Sequence, residues 1–111
     1  MVLVVFRSRL RPENTEEFQE LADKLLELAQ SMPGFISYKR YFNEDGERCS
    51  IIEFETAEQL LAWREHPVHR EAQRMGRERY YEEYRLQVFE RAIRESRFKH
   101  GAPGAEAAGS S

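Results

Sequence analysis

The chain has 111 residues, room for one domain with a modest core, and its 33% of charged residues are well mixed along its length. A net charge of −3 gives no general attraction to nucleic acid or to an anionic membrane, so partners of those two classes are not expected. A single cysteine, Cys49, excludes an intrachain disulfide and fits a reducing, cytoplasmic setting.

Val2 to Phe6 is β-branched and aromatic, which favours a strand; the run is too short for a signal-peptide core or a membrane span. Alternation places Val2, Val4, Phe6, Ser8 and Leu10 on one face and Leu3, Val5, Arg7 and Arg9 on the other. Pro12 closes the strand, and Asn14 with Glu17 three residues on has the form of a helix start. Phe18, Leu21, Leu25, Leu28 and Met32 follow at helical spacing, up to the stop at Pro33-Gly34.

Phe35 to Phe42 reads as a second strand and Cys49 to Glu55 as a third, joined by a turn whose hairpin signal is Asp45-Gly46. Thr56 and Gln59 form a capping-box pattern ahead of Leu60, Leu61 and Trp63. His66-Pro67 breaks that helix and opens another, because proline is tolerated at a first helical position. Val68, Ala72 and Met75 line one face of this second piece, and Gly76 loosens its end. Tyr84 to Phe89 reads as the fourth strand, with Tyr84, Leu86 and Val88 on one face.

The resulting order is βαββαβ with a broken second helix, an α+β chain of the ferredoxin-like kind. Its antiparallel sheet carries helices on one face only. Leu3, Val5, Ile51 and Phe89 fall on the other face and need a cover. A second copy of the same sheet is the simplest one, so a two-fold homodimer, a dimeric α/β barrel, is expected. Residues 1–95 read as the domain and residues 96–111, small and polar, as a flexible tail.

The segment from Thr56 to Val88 holds Trp63, His66-Pro67-Val68-His69, Ala72-Gln73, Gly76-Arg77-Glu78, Tyr80-Tyr81 and Tyr84 to Val88. With Met32-Pro33-Gly34-Phe35 in the same frame, it resembles the antibiotic biosynthesis monooxygenase family over roughly residues 2 to 91. The resemblance implies a dimer and an apolar pocket between sheet and helices. It also implies a reaction without metal, flavin or haem, in which the anion of a small aromatic or polyketide-type phenol meets O₂ directly. Other members of the superfamily degrade haem, isomerise substrates or have no known reaction, so fold alone does not decide the activity.

Under the resemblance, Trp63 lines the pocket; the bland reading is a core tryptophan whose indole N–H finds a partner in the protein. His69 is a base or an anchor, at a place where quinone-forming members tend to carry a tyrosine. His66 either faces the ligand or caps the following helix, and the two histidines lack an obvious third metal ligand. Gln73 stands where the haem-degrading branch carries its axial histidine, and Phe6 or a neighbour lies where that branch uses an asparagine, so haem binding is the least favoured reading and no cofactor is expected; Gln73 and Phe6 are instead candidate substrate contacts.

Tyr38 and Arg85 are candidate anchors, with Arg40 sharing Tyr38's face; such arginines serve equally as partners of strand carboxylates. Arg70, Arg74, Arg77 and Arg79 interleave with Glu71 and Glu78 and read as a solvated helix face with ion pairs. Tyr80, Tyr81 and Tyr84 read as packing at the helix-to-strand corner or the dimer rim. Two functions follow: a cofactor-independent monooxygenase, if open space lies beside Trp63, or a non-catalytic ligand-binding or stress-related dimer, if Trp63, Leu60 and Phe6 fill that space.

Overall fold

The computed structural model describes residues 1–101. Its order is β1 (Val2–Leu10), α1 (Thr15–Ser31), β2 (Phe35–Phe42), β3 (Arg48–Phe54), α2 (Ala57–Glu65), α3 (Pro67–Met75), a π-turn (Gly76–Tyr80) and β4 (Tyr81–Phe89). The four strands form one antiparallel sheet in the order β2-β3-β1-β4. This is the ferredoxin-like arrangement expected from the sequence, with the second helix broken at His66-Pro67. No helix among the described residues is long and apolar enough to cross a membrane. Residues 90–101 carry neither helix nor strand, and the rest of the expected tail lies outside the described residues.

Period-two alternation divides the sheet as the sequence dictates. Val2, Val4, Ile52 and Phe54 turn inward and pack with Ala29, Leu60 and Trp63 from the helices. Burying side chains of this size stabilises the fold by about 1.5–3 kcal/mol each. A second apolar group, Phe18, Ala22 and Tyr80, closes the other end of the same layer. Register pairs Leu3 with Phe89 and Val5 with Ile51 on the outward face. Among them Phe89 is 44% exposed, a large apolar side chain left partly in solvent.

Several local details differ from the expectations. Asn14 does not cap α1 with its side chain; it adopts a left-handed conformation (φ 63°) and its carbonyl accepts from the Phe18 N–H. Thr56 does cap α2, accepting from the Gln59 N–H at 3.2 Å. The Gln59 side chain instead lies against Gly34, whose φ of +84° suits only glycine.

Strand β4 starts at Tyr81, three residues before the expected start, because a π-turn rather than a loose end leads into it. The π-turn is held from outside by Arg11, just beyond β1. Its guanidinium donates to the carbonyls of Tyr81 (3.1 Å), Glu78 (2.8 Å) and Arg77 (3.1 Å), and its N–H donates to the Tyr80 carbonyl (2.8 Å). These are carbonyls that a helix end leaves without intrahelical donors. At the head of the turn, a Cβ on Gly76 would fall 2.6 Å from the Tyr81 ring. Glycine there lets the ring fold back over the turn.

The basic helix face behaves as its pattern suggests. Arg74 pairs with Glu71 and Glu78, and Arg79 reaches Glu17 on α1 at 2.8 Å. Arg40 finds Asp23 of α1 at 3.8 Å rather than a carboxylate on a neighbouring strand.

Candidate active site

Between the inner sheet face and the broken helix lies a cavity of about 220 Å³. Val4, Phe6, Tyr38, Ile52, Tyr84 and Leu86 form its floor on the sheet. Leu25, Trp63, Arg64, His69, Ala72, Gln73 and Arg77 form its helical wall, and Tyr81 stands at the corner. A second cavity of about 50 Å³ shares Phe6, Leu25, Tyr38, Ala72 and Tyr81 and extends to Arg40, Arg48 and Ser50. The space beside Trp63 is therefore open, and Leu60 belongs to the packed core rather than to the cavity wall.

Trp63 is core and wall at once. It is 3% exposed, stacks on Phe54 at 5.8 Å and meets Tyr38 edge-on at 6.1 Å. Its indole N–H donates to the Leu25 carbonyl at 3.3 Å, so that hydrogen bond is already made within the protein. Six residues later, His69 packs edge-on against the same indole, with ring centroids 4.4 Å apart. This closeness follows from the helix break. The His66 N–H donates to the Trp63 carbonyl to end α2, while His66 Nδ1 accepts from the Val68 N–H to begin α3. Pro67 in the first turn of α3 needs no donor there.

His69 is 9% exposed, and its Nδ1 finds no hydrogen-bond partner in another described residue. Burial pushes its imidazole down to about 4, a backbone hydrogen bond of His69 itself opposes this, and the nearby positive charge of Arg64 adds to the lowering. It is therefore neutral at pH 7, with a buried polar edge left unpaired. Burial also raises the Tyr38 phenol, an effect partly offset by the Ser50 hydroxyl. The Tyr81 phenol is raised further, again mainly by burial, with Tyr38 adding to it. Both phenols stay protonated and can donate. Phe6 meets Tyr81 at 5.4 Å and Tyr84 at 5.4 Å, which makes the sheet side of the cavity an aromatic surface.

Five of the seven residues singled out in the sequence thus meet at one cavity: Phe6, Tyr38, Trp63, His69 and Gln73. The other two do not. His66 spends its ring nitrogen on the α3 cap and is not part of the wall. Arg85 pairs across from Arg7 on the outward sheet face, beside Glu47 and Glu83. A residue between Tyr84 and Leu86 must point away from the face those two share.

Four polar wall residues were not anticipated as such: Arg64, Arg77, Tyr81 and Tyr84. Arg77 lies four positions after Gln73, on the same side of a helical turn, which was the available signal. Among the described residues no cluster of three or more histidine, cysteine or carboxylate side chains could hold a metal ion.

Comparison with known proteins bears on the same segment. The family model for antibiotic biosynthesis monooxygenases matches residues 1–75. The uncharacterized protein YqjZ of Bacillus subtilis is 29% identical over 85 residues, which span 77% of this chain and 74% of that one. Among solved structures, Rv0793 from Mycobacterium tuberculosis superposes with a TM-score of 0.73 at 21% identity, covering 86% of this chain and 98% of that one. A structure named as an antibiotic biosynthesis monooxygenase gives a TM-score of 0.71 at 14% identity, covering 83% of this chain and 99% of its own. At such identities the structural likeness speaks for the fold alone.

Proposed function

Because the chain belongs to the antibiotic biosynthesis monooxygenase family, we propose that it is a cofactor-independent monooxygenase acting on a small phenolic aromatic compound bound beside Trp63. The observation that carries this reading is the cavity of about 220 Å³, with aromatic walls and a neutral, unpartnered His69 edge. An apolar cavity of about 150 Å³ admits benzene, and pockets for drug-sized ligands begin near 300 Å³. The volume between these favours a substrate of one or two rings within the broader polyketide-like class.

In this reaction the substrate hydroxyl gives its proton to His69, and the ring anion bonds to O₂. The resulting peroxide O–O bond breaks. One oxygen stays on the ring as a carbonyl and the other leaves as water, so a phenol and O₂ become a quinone and water. The substrate supplies all four electrons.

Proton transfer from an ordinary phenol, near 10, to an imidazole near 4 costs about 8 kcal/mol. Attraction between the new ions at contact returns about 4 kcal/mol at an effective dielectric of roughly 20. The remainder is a barrier contribution that catalysis tolerates, and a more acidic hydroxyl would lower it. Gln73, Tyr38 and Tyr81 supply donors that orient the substrate, and Trp63 and Phe6 supply ring contacts.

The outward sheet face supports the homodimer of this reading, since Leu3, Val5, Ile51 and Phe89 lie together on the face opposite the helices, partly or largely exposed among the described residues. One free cysteine suits a cytoplasmic setting.

The test is oxygen uptake with a panel of one- and two-ring phenols. Turnover by the wild type, abolished in His69→Ala and reduced in Trp63→Phe while both variants stay folded, is the expected result. Binding without oxygen uptake across the panel would favour a non-catalytic ligand-binding dimer, which the same cavity could also serve.

A further inference from the structure

The cavity wall contains two arginines, Arg64 and Arg77, and no carboxylate. The smaller adjoining cavity adds Arg40 and Arg48, again without an acid. That is unusual for a chain with 20 acidic against 17 basic residues. Arg64 and Arg77 make no ion pair among the described residues, whereas Arg74 and Arg79, on either side of Arg77, each have a carboxylate partner. The Arg64 Nε–H is fully buried and finds no acceptor. A desolvated donor with nothing to donate to is costly, which marks the Arg64 side chain as strained in its polar contacts beside the cavity it lines. The His69 Nδ1, on a side chain 9% exposed, is the second unpaired polar atom at the same place.

We propose that the cavity takes aromatic carboxylates, with the ring between Phe6, Trp63 and Tyr81 and the carboxylate on Arg64 and Arg77. This rests on the reading that the cavity is the ligand site, and it adds the charge of the ligand. The planar guanidinium fork of arginine matches a carboxylate in two-point contact. Aromatic walls that enclose the site strengthen that contact by excluding water. Arg64 is the residue next to Trp63 and is close enough to act on the charge of His69, so the guanidinium, the ring wall and the imidazole edge gather at the break between α2 and α3.

Paired probes separate charge from shape: 4-hydroxybenzoate against 4-hydroxybenzamide, and 6-hydroxy-2-naphthoate against its amide. Each is titrated into the full chain by calorimetry, with quenching of Trp63, the single tryptophan, as an optical check. Each acid is expected to bind about tenfold or more tightly than its amide, the scale of one charge-assisted hydrogen bond. Arg64→Gln and Arg77→Gln should each bring the ratio of acid to amide affinity most of the way toward one, whatever either change does to binding of the ring. Arg77 is exposed, so its variant keeps the test informative if the Arg64 variant folds poorly.

Equal affinity for acid and amide, or acid binding unaffected in both variants, overturns the proposal while the aromatic-cavity reading stands. If neither acids nor amides bind, both fall together.

Discussion

Protonating His69 should be visible as a loss of stability as the pH falls from 6.5 toward 4. Burial holds the folded imidazole near 4, against about 6.5 in an unfolded chain. Above 6.5 both states are neutral and the group contributes no pH dependence. As the pH falls from 6.5 toward 4, the unfolded chain takes up a proton that the folded one refuses, so stability falls.

The full difference is worth about 3 kcal/mol, and about 2 kcal/mol of it should be gone by pH 5. For a domain of this size that corresponds to a drop in Tm on the order of 10 °C. The measurement is urea unfolding at pH 7.5, 6, 5 and 4.5, at one fixed protein concentration, for the wild type and His69→Gln. Glutamine removes the titration but also weakens the packing against Trp63, so the comparison is between slopes rather than absolute stabilities. Glu17, Glu71 and Asp45, each held below its ordinary value by hydrogen bonds, lose their contribution at lower pH and do so in both proteins. Parallel pH curves for the two proteins would refute the buried, neutral His69 and with it the base assigned to the site.

Three further expectations concern the frame around the cavity. Arg11→Met should cost about 1–3 kcal/mol in urea unfolding by leaving the π-turn carbonyls without their donors. It should also weaken aromatic binding, because Arg77 and Tyr81 sit on that turn. Gly34→Ala puts a side chain at φ +84°, with its Cβ 1.9 Å from the Gln59 amide oxygen, and should destabilise by about 1–3 kcal/mol. Trimming Gln59 to alanine in the same chain should return the steric share only. Val5→Glu, at the centre of the outward apolar face, should halve the solution mass measured by light scattering. An unchanged mass would place the dimer elsewhere or deny it.

The strands and helices were legible because their apolar residues repeat at two or at three to four residues. Trp63 and His69 were each named through the family resemblance; the break at His66-Pro67 was legible, but that it brings the two rings together is seen only in the fold. The π-turn was not legible: a hydrogen-bond pattern of five residues leaves no apolar period over one turn. Missing it moved the expected start of β4 to Tyr84 and left Tyr81 read as packing at the helix-to-strand corner or the dimer rim, with no sign that the corner is also cavity wall. Arg85 shows an error of a different kind. The alternation that sets Tyr84, Leu86 and Val88 inward also sets Arg85 outward, so its placement was readable and the expectation of an anchor ran against it. Arg77 was read as part of a solvated face and Arg64 was not singled out, because neither the cavity nor the absence of ion partners is written in local sequence.

His66 closes one helix with its backbone and opens the next with its ring, and no spacer residue separates the two roles. The distance along the chain between Trp63 and His69 is therefore fixed by hydrogen bonding on both sides. Such a site can drift in residue identity around its wall and keep its shape. It cannot absorb a change in length: one residue added within α3 before His69 would swing the imidazole by about 100° around the helix axis, away from the indole. Related chains that share this chemistry should therefore vary in the composition of the segment from Trp63 to His69 long before they vary in its length.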